Sequence, residues 1–302
     1  MIRNFLKTVY RVLPGKLWAF NAIRGVARLP EGIYRHLHFQ GPFRVKLPSG
    51  RRFKMMHFGN QVENDLFWAG YGNGWERSSL RIWSNLAANA YSILDIGANT
   101  GTFTFAAQAA NPEARCEAFE PVARIFDRLS INAELNGNKV GVNCIALSDH
   151  NGTATLFDSG EAHVYSASLN TNMLGEKGLQ AKSEVPVTTL DHFRKDKEME
   201  PIDLIKLDVE MHEPEVLRGA SQTLKNDRPA ILIEILNRDT GAEVACLLDE
   251  YILFEIIEGE GLVRSDCPGE SGERNYLALH RDAPQIKLIG DRLEEARFGV
   301  LG

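Results

Sequence analysis

Ile93-Leu94-Asp95-Ile96-Gly97-Ala98-Asn99-Thr100-Gly101 is the stretch that decides the fold. Here an apolar run contains an acid, passes through two glycines four residues apart and leads into a helical pattern. Glycine is needed where a backbone turns sharply or where a ligand lies close to it. In a doubly wound α/β sheet, the turn after the first strand borders the crevice that binds ligands. The stretch therefore predicts a strand, a ligand-binding turn and a helix.

The pattern around this stretch predicts the rest of the sheet. Strand-like runs occur at residues 92–96, 115–119, 140–147, 202–207, 230–236, 251–258 and 275–280. Helical stretches occur at residues 103–110, 122–136, 213–224 and 242–250. Such alternation is typical of βαβ units, in which helices cover both faces of a parallel sheet. We therefore expect an α/β fold with a seven-stranded, mostly parallel sheet.

Residues 150–185 interrupt this alternation. Strands are predicted at residues 153–157 and 184–188, and the loop between them is rich in Ser, Asn and Gly. Long loops in compact domains usually serve a function. We interpret the segment as a substrate-side insertion, in which the candidates for acceptor recognition are His163, Tyr165, Ser166 and Ser168.

Basic residues are concentrated at the start of the chain. Residues 1–54 carry twelve Lys or Arg and one acid, Glu31, whereas the whole chain has a net charge of −6. Residues 1–13 combine an apolar helical stripe with a basic one, which predicts a basic amphipathic helix. We expect it to pack on its own domain, with an anionic membrane surface or a homodimer contact as alternatives. The acidic remainder would repel a phosphate backbone, which disfavours nucleic acid as a partner.

Composition sets the expectations for location and domains. No run approaches the ~20 apolar residues that span a bilayer. Residues 1–13 contain no signal-peptide core, so a cytoplasmic location is expected, with peripheral membrane contact as the alternative. The four cysteines form no C-x-x-C pair, which argues against a disulfide scaffold or a zinc ribbon. We divide the chain into a basic, partly helical extension at residues 1–55, a main domain at 56–285 and a tail at 286–302.

Two carboxylates indicate the kind of ligand. Asp95 lies at the glycine turn, where it would repel a pyrophosphate but would accept hydrogen bonds from an amine. Glu120 ends the second strand, where a carboxylate can bind both hydroxyls of a ribose. The turn lacks the G-x-G-x-x-G pattern of dinucleotide sites, which disfavours an NAD-dependent oxidoreductase. The combination fits S-adenosylmethionine, which has a free ribose, a positive sulfonium and no phosphate.

Seven short blocks occur in order along the chain: residues 93–101, 118–121 (AFEP), 145–149 (IALSD), 187–191 (VTTLD), 202–210 (IDLIKLDVE), 214–220 (PEVLRGA) and 231–234 (ILIE). Together they resemble the FkbM family of S-adenosylmethionine-dependent methyltransferases. The resemblance covers about residues 60–280 and implies a class I methyltransferase fold, which is Rossmann-like. It also implies O-methyl transfer to a hydroxyl of a sugar, a glycolipid or a small metabolite.

The same resemblance implies which residues hold the cofactor. Those assigned to its methionine part are Asp95, Gly97, Asn99 and Gly101, with Glu76 at the amino acid end. Glu120 would hold the ribose, Pro121 and Ala146 would flank the adenine, and Ser148 would lie at its edge. The family usually reads Asp-Val-Glu-Gly-x-Glu after the fourth strand, whereas this chain has Met211 at the glycine position. The backbone turn at this point is therefore left open.

Polar residues at the end of the fourth strand are the catalytic candidates. Lys206, Asp208 and Glu210 alternate with apolar residues and so share one side of the strand. Alcohol hydroxyls are weakly acidic, so methyl transfer to one of them needs a base. The candidates are Asp208, Glu210 and His212, with Lys206 beside them. A buried Lys206 needs an acidic partner, and those within reach are Asp95, Asp208 and Glu234.

Three further interpretations stay open at this point. An exposed loop position without a role is the alternative for His212. Oxygen ligands for Mg²⁺ could come from Asp208, Glu210 and Glu234, but their spacing does not demand a metal, which is not favoured. One wall of the acceptor site, or packing alone, is expected of the residues that precede the first strand, which are His57, Asn60, Asn64, Phe67, Trp68, Tyr71 and Trp75.

Overall fold

The computed structural model describes residues 15–158, 167–168 and 181–284. In these ranges the helices α1 to α10 are Lys16–Val26, Glu31–Tyr34, Gln61–Trp68, Arg77–Ala87, Thr102–Ala110, Ala123–Leu135, Leu190–Asp196, Glu213–Arg218, Ser221–Asp227 and Arg238–Leu247. The strands β1 to β14 are Gly41–Lys46, Arg52–His57, Ser92–Ile96, Arg115–Phe119, Gly141–Asn143, Ala146–Leu147, Gly152–Asp158, Ala167–Ser168, Ala181–Thr188, Leu204–Leu207, Ala230–Glu234, Tyr251–Ile257, Gly261–Arg264 and Asn275–His280.

The main sheet confirms the class I methyltransferase fold, but the predicted number of strands is wrong. The sheet has eight strands in the order β13-β12-β14-β11-β10-β3-β4-β5. The five strands from β11 to β5 pair parallel, and the other three pair antiparallel with their neighbours. The eighth strand, β13, lies between the predicted strands at 251–258 and 275–280, where no strand was predicted. Gly261 has a φ of 120° there, which lets the chain reverse and pair with β12.

Two predicted elements are each divided in the structure. The predicted strand at 140–147 becomes β5 in the main sheet and β6 in a second sheet, where β6 pairs with β9. The predicted helix at 213–224 becomes α8 and α9, with a break at Gly219. A Cβ at Gly219 would lie 2.0 Å from the Ser148 carbonyl oxygen, so only glycine fits. The Asp191 carboxylate caps the N-terminus of α9, because it accepts hydrogen bonds from the amides of Gln222 and Thr223 at 2.8 and 2.9 Å.

The predicted insertion forms part of the second sheet. Its strand order is β6-β9-β7-β8, and β7 and β9 pair antiparallel. The strands predicted at 153–157 and 184–188 are confirmed within these two longer strands. His163, Tyr165 and Ser166 lie outside the described residues, as does most of the loop. Ser168 lies in β8.

The start of the described chain packs into the main core. Phe20, Phe39, Phe43 and Phe53 are buried in the same cluster as Ile93 of the central strand β3. The predicted domain boundary at residue 55 falls inside β2, and the division of the chain into three parts stays a prediction. The predicted helix at 1–13 and the tail at 286–302 lie outside the described residues. Within the described ranges, no helix has the length and apolar character needed to cross a membrane.

Candidate active site

A cavity of about 320 Å³ opens at the carboxyl ends of β3, β4 and β10. Eleven of the thirteen predicted site residues line it, which are Glu76, Asp95, Gly97, Asn99, Glu120, Pro121, Ala146, Lys206, Asp208, Glu210 and His212. The other two lie beside it, since Gly101 precedes α5 and the Ser148 hydroxyl is bonded to His212. Ligands bind at this edge of open α/β sheets. The structure therefore brings the predicted residues together in one place.

The glycine turn is shaped by close packing. Gly97 has a φ of 80°, and a Cβ there would lie 1.7 Å from the Asp208 carbonyl oxygen. Gly101 has a φ of 90°, and a Cβ there would meet Phe105 at 2.4 Å. The amides of Gly97 and Ala98 both donate to the Phe119 carbonyl oxygen, at 3.0 and 2.9 Å. Since these amides are already bonded, they cannot bind a phosphate, and the two glycines have a structural reason of their own.

Glu120 connects the second strand to the turn. Its carboxylate accepts hydrogen bonds from the amides of Asn99 and Val122, both at 3.0 Å. Burial is the main cause that raises the pKa of Glu120, to about 7. Each carboxylate oxygen has two acceptor positions, so each can take one more hydrogen bond. A pair of neighbouring hydroxyls facing the cavity would fit this remaining capacity.

Glu76, which directly precedes α4, also lines the cavity. Its backbone lies in the left-handed region with a φ of 43°. Its Oε2 atom is buried without a hydrogen-bond partner, and its carboxyl group is bonded to Asn275. Burial raises the pKa of Glu76 to about 7. A buried polar atom without a partner needs a reason, and a donor group of a ligand in the cavity would supply one.

Asp95 is a buried residue of β3, the strand that lies between β10 and β4. It is nearly inaccessible to solvent and accepts a short hydrogen bond from the Thr104 hydroxyl. The parallel register of β3 and β10 places Asp95 beside Lys206. Burial is the main cause that raises the pKa of Asp95, to about 6, although Lys206 opposes the shift. The carboxyl groups of Asp95 and Glu76 thus both lie near one buried cation, Lys206.

Lys206 is the buried cation of the site. Its side chain is 1% exposed, and its Nζ atom donates to Asp208 Oδ2 at 2.9 Å. Nζ also lies 4.9 Å from the centre of the Phe103 ring. Burial alone would lower the pKa of Lys206, but the charge of Asp208, and then that of Glu76, raise it above its ordinary value. Of the three partners considered from the sequence, Asp208 forms the direct ion pair.

Glu234 was predicted only as a possible partner of Lys206 or as a metal ligand, and the structure places it in the lining of the cavity. It ends β11, lines the cavity and is hydrogen-bonded to the carboxyl group of Asp208. Burial, and then the charge of Asp208, raise the pKa of Glu234 to about 10. Burial would also raise the pKa of Asp208, but Lys206 holds it below its ordinary value. Two hydrogen-bonded carboxyl groups share one proton, which therefore resides on Glu234.

The loop after β10 keeps its turn although Met211 stands where the family usually has glycine. Glu210 and Met211 have φ angles of 55° and 69°, in the left-handed region that favours glycine. Glu213, which was not among the predicted site residues, holds this loop. Its Oε1 atom accepts the amides of Val209 and Met211 at 3.1 and 3.2 Å. Met211 thus adopts the conformation that a glycine would adopt, and the turn is kept despite the substitution.

His212 is not the exposed loop residue that was one expectation. Its side chain is 13% exposed. Its Nε2 atom lies 3.0 Å from Ser148 Oγ, and its Nδ1 atom lies 3.4 Å from a carboxylate oxygen of Glu215. Burial is the main cause that lowers the pKa of His212. A largely buried, neutral imidazole therefore lies beside Ser148, which the family resemblance assigns to the adenine edge.

Most of the aromatic and polar residues before β3 are packing residues. Only Trp75 of this set lines the cavity, at the mouth beside Glu76. His57 bonds Asn64 at 3.3 Å in the buried core. The Tyr71 hydroxyl donates to the Leu80 carbonyl oxygen at 2.7 Å, and Trp68 Nε1 donates to that of Leu37 at 3.0 Å. The polar groups of these side chains are therefore bonded within the protein, and the residues are not part of the cavity lining.

Comparison with protein families places the chain among known proteins. Residues 95–254, more than half of the chain, match the family model described as the methyltransferase FkbM domain. The chain belongs to the FkbM methyltransferase family. The part of this FkbM-family protein that matches begins at Asp95 and includes the glycine turn, Glu120, Lys206 and Glu234. Glu76 lies before the matched part of the chain.

In the part of the chain that the structure describes, no group of three or more His, Cys, Asp or Glu is placed to hold a metal ion.

Two curated proteins are similar to this FkbM-family chain. The methyltransferase sdnD of Sordaria araneosa is 30% identical over 165 residues, which are 46% of this chain and 63% of that protein. The AMB antimetabolite synthetase AmbE of Pseudomonas aeruginosa is 30% identical over 183 residues, which are 50% of this chain and 8% of that protein. The matched region spans less than two thirds of either relative.

Two of the solved structures that are similar to this chain are methyltransferases. The methyltransferase FkbM from Methylobacillus flagellatus KT has a TM-score of 0.43 and 14% identity, over 73% of this chain and 55% of that chain. A SAM-dependent O-methyltransferase from Thermotoga maritima has a TM-score of 0.39 and 11% identity, over 80% of this chain and 78% of that chain.

Proposed function

We propose that the protein is an S-adenosylmethionine-dependent methyltransferase that methylates a hydroxyl group of a sugar, a glycolipid or a small metabolite. The observation that carries this proposal is the arrangement of carboxyl groups around the cavity. Asp95, Glu76 and Glu120 line it, while the turn amides of Gly97 and Ala98 are already bonded. Such a site suits a ligand with an amine, a sulfonium and ribose hydroxyls, and it does not suit a pyrophosphate.

The residues present fit this cofactor. Glu76 has a buried oxygen without a partner, and Asp95 is a second acid in the lining of the cavity. Both would attract the positive ammonium group of the amino acid end. Glu120 keeps acceptor positions for the ribose, and Pro121 and Ala146 supply apolar surface for the adenine. When bound, S-adenosylmethionine supplies an electrophilic methyl group on its sulfonium.

We assign proton removal from the acceptor to Asp208. The acceptor hydroxyl must lose its proton as the methyl group is transferred, and an ionised carboxylate can accept it. The ion pair with Lys206 and the hydrogen bond with Glu234 keep Asp208 ionised and fix its orientation. Glu210 and His212 also line the cavity and are the alternative bases.

Cytoplasmic location, a homodimer and the absence of nucleic acid as a partner stay predictions.

Ligand binding and methyl transfer test the proposal together. In calorimetry, the full chain should bind S-adenosylmethionine and S-adenosylhomocysteine but not NAD. With labelled methyl donor and fractionated cell extract, label should enter a hydroxyl-bearing small molecule or glycan. Binding of NAD in place of the methyl donor would contradict the cofactor assignment, and label on nitrogen or carbon would contradict O-methylation.

The protonation of Glu234 leads to a separate prediction. Glu234→Gln keeps a neutral hydrogen-bond donor beside Asp208, so the methylation rate should stay close to that of the wild type. Glu234→Ala removes the donor, and the rate should fall about tenfold because Asp208 loses its orientation. The rates of both variants, measured with the pH profile of each, check this expectation. If Gln is as damaging as Ala, then Glu234 acts in its ionised form and the assignment is wrong.

A further inference from the structure

The hairpin of β1 and β2 concentrates positive charge on one face. The antiparallel register places Arg44 opposite Lys54, and Lys46 opposite Arg52. All four side chains are exposed, while the alternating residues of both strands are buried in the core. Because side chains alternate between the two faces of a strand, the four cations share the solvent-facing side. Directly opposite residues lie about 5 Å apart, so the charges form a compact patch. We call these four residues the cationic face.

The cationic face is not explained by the stability of the fold. Like charges directly opposite each other on neighbouring strands are destabilising. Within the ranges that the structure describes, none of the four side chains forms an ion pair. The buried side of the hairpin supplies the packing, through residues such as Phe43 and Met55. Uncharged polar residues on the outer side would serve the fold better, which points to a negatively charged partner.

Exposed apolar residues lie on helix α1, which contacts the start of β1. Helix α1 packs Phe20 inwards against Phe39 and Trp68, and its Leu17 lies next to Gly41 at the start of β1. Its outer side exposes Trp18 and Val26, which are 79% and 87% exposed and lie on one stripe of the helix. Trp is enriched at the membrane–water interface, because its ring is apolar and its N–H group is polar.

We propose that the hairpin docks the protein onto an anionic lipid membrane. Clustered Lys and Arg beside exposed apolar residues match a surface of negative headgroups over acyl chains. The rest of the chain supports this choice, because residues 1–54 are strongly basic while the whole chain is net negative. Only the basic side would therefore be attracted to such a surface. The outer side of the hairpin has no aromatic ring between its cations, unlike surfaces that stack nucleic-acid bases.

The proposed contact lies in the described hairpin, and the contact predicted for the helix at residues 1–13 stays a separate prediction. Asn132 of α6 accepts the amide of Met56 in β2 at 2.7 Å and donates to the Thr100 carbonyl oxygen at 2.8 Å. The hairpin is thus attached to the glycine turn of the candidate active site. Docking through the hairpin does not depend on the proposed methyl transfer, and its test needs no acceptor.

Co-sedimentation of the full chain with vesicles tests the proposal. Phosphatidylcholine vesicles should bind little protein, whereas vesicles that also contain phosphatidylglycerol should bind it, and high salt should release it. The variant Arg44→Gln/Lys54→Gln should bind the anionic vesicles about 30-fold more weakly, because each cation near such a surface contributes a factor of about five. Its thermal stability should not fall, since a like-charged cross-strand pair is removed.

Lys195→Gln/Lys225→Gln is the matched control. It makes the same change in net charge on α7 and α9, where both side chains are exposed, and vesicle binding should stay at the wild-type level. Equal losses in the two double variants would show that net charge alone is measured, and would overturn the assignment to the hairpin. So would absence of binding to anionic vesicles. If a DNA duplex is bound instead, and Arg44→Gln/Lys54→Gln abolishes that binding, the membrane is the wrong partner.

Discussion

Asp208→Asn should lower the turnover of methyl transfer by roughly 10²-fold or more, the usual contribution of a general base. The amide keeps the shape of the side chain and can still accept a hydrogen bond from Lys206, but it can no longer take up a proton. Glu76, Asp95 and Glu120 are unchanged, so the affinity for S-adenosylmethionine should be kept. Turnover measured with the labelled methyl donor, and affinity measured by calorimetry, separate the two effects.

The controls for Asp208→Asn take account of the buried ion pair. Removing one partner of such a pair leaves the other charge buried, which destabilises proteins by about 3–5 kcal/mol. If the variant fails to fold, Asp208→Asn/Lys206→Met removes both charges and should fold while remaining inactive. Asp239→Asn, at an exposed position of α10, should be as active as the wild type. A folded Asp208→Asn protein that methylates at the normal rate would show that Asp208 is structural.

Glu120→Ala should weaken the binding of S-adenosylmethionine by about 2–3 kcal/mol, because hydrogen bonds to a charged group contribute about 1.5–3 kcal/mol. This corresponds to a dissociation constant about 30 to 150 times larger. Part of the loss has a structural origin, since the amides of Asn99 and Val122 lose their acceptor. Glu120→Gln keeps one carbonyl oxygen for them, so its loss should be smaller. Calorimetry on both variants checks the order.

The pH dependence of binding gives a second measure of Glu120. Its folded pKa is about 7, which is raised by burial, so the carboxyl group is mostly protonated at pH 6 and mostly ionised at pH 8. Ribose hydroxyls donate to the ionised form, so affinity should rise by about tenfold over this range. In Glu120→Gln the rise should be smaller, and what remains reports on Glu76, whose pKa is also about 7.

Glu134→Ala provides the comparison for the binding experiments. It removes a carboxylate from an exposed position of α6, outside the residues that line the cavity. Its affinity and pH dependence should match those of the wild type. Wild-type affinity in Glu120→Ala, with the protein folded, would contradict the assignment of the ribose to Glu120.

The sequence by itself determined the turn, the alternation of strands and helices, and most of the acidic and basic residues that line the candidate site. Gly97, Asp95 and Glu120 could be found because they stand at the ends of strands that have a clear apolar pattern. The carboxyl ends of parallel strands meet at one edge of a sheet, so order along the chain is enough to predict their proximity. The alternation of Lys206 and Asp208 likewise predicted a shared side, because the period of a strand is a local property.

Only the tertiary structure decided the points that depend on contacts between distant parts of the chain. Ala146–Leu147 pairs with β9 instead of β4, and the helix after β10 breaks where Gly219 meets Ser148. The proton on Glu234 depends on burial beside Asp208 and Lys206, and the cationic face depends on the register of β1 and β2. No local pattern specifies such contacts, because burial and the electric field at a side chain are set by neighbours far away along the chain.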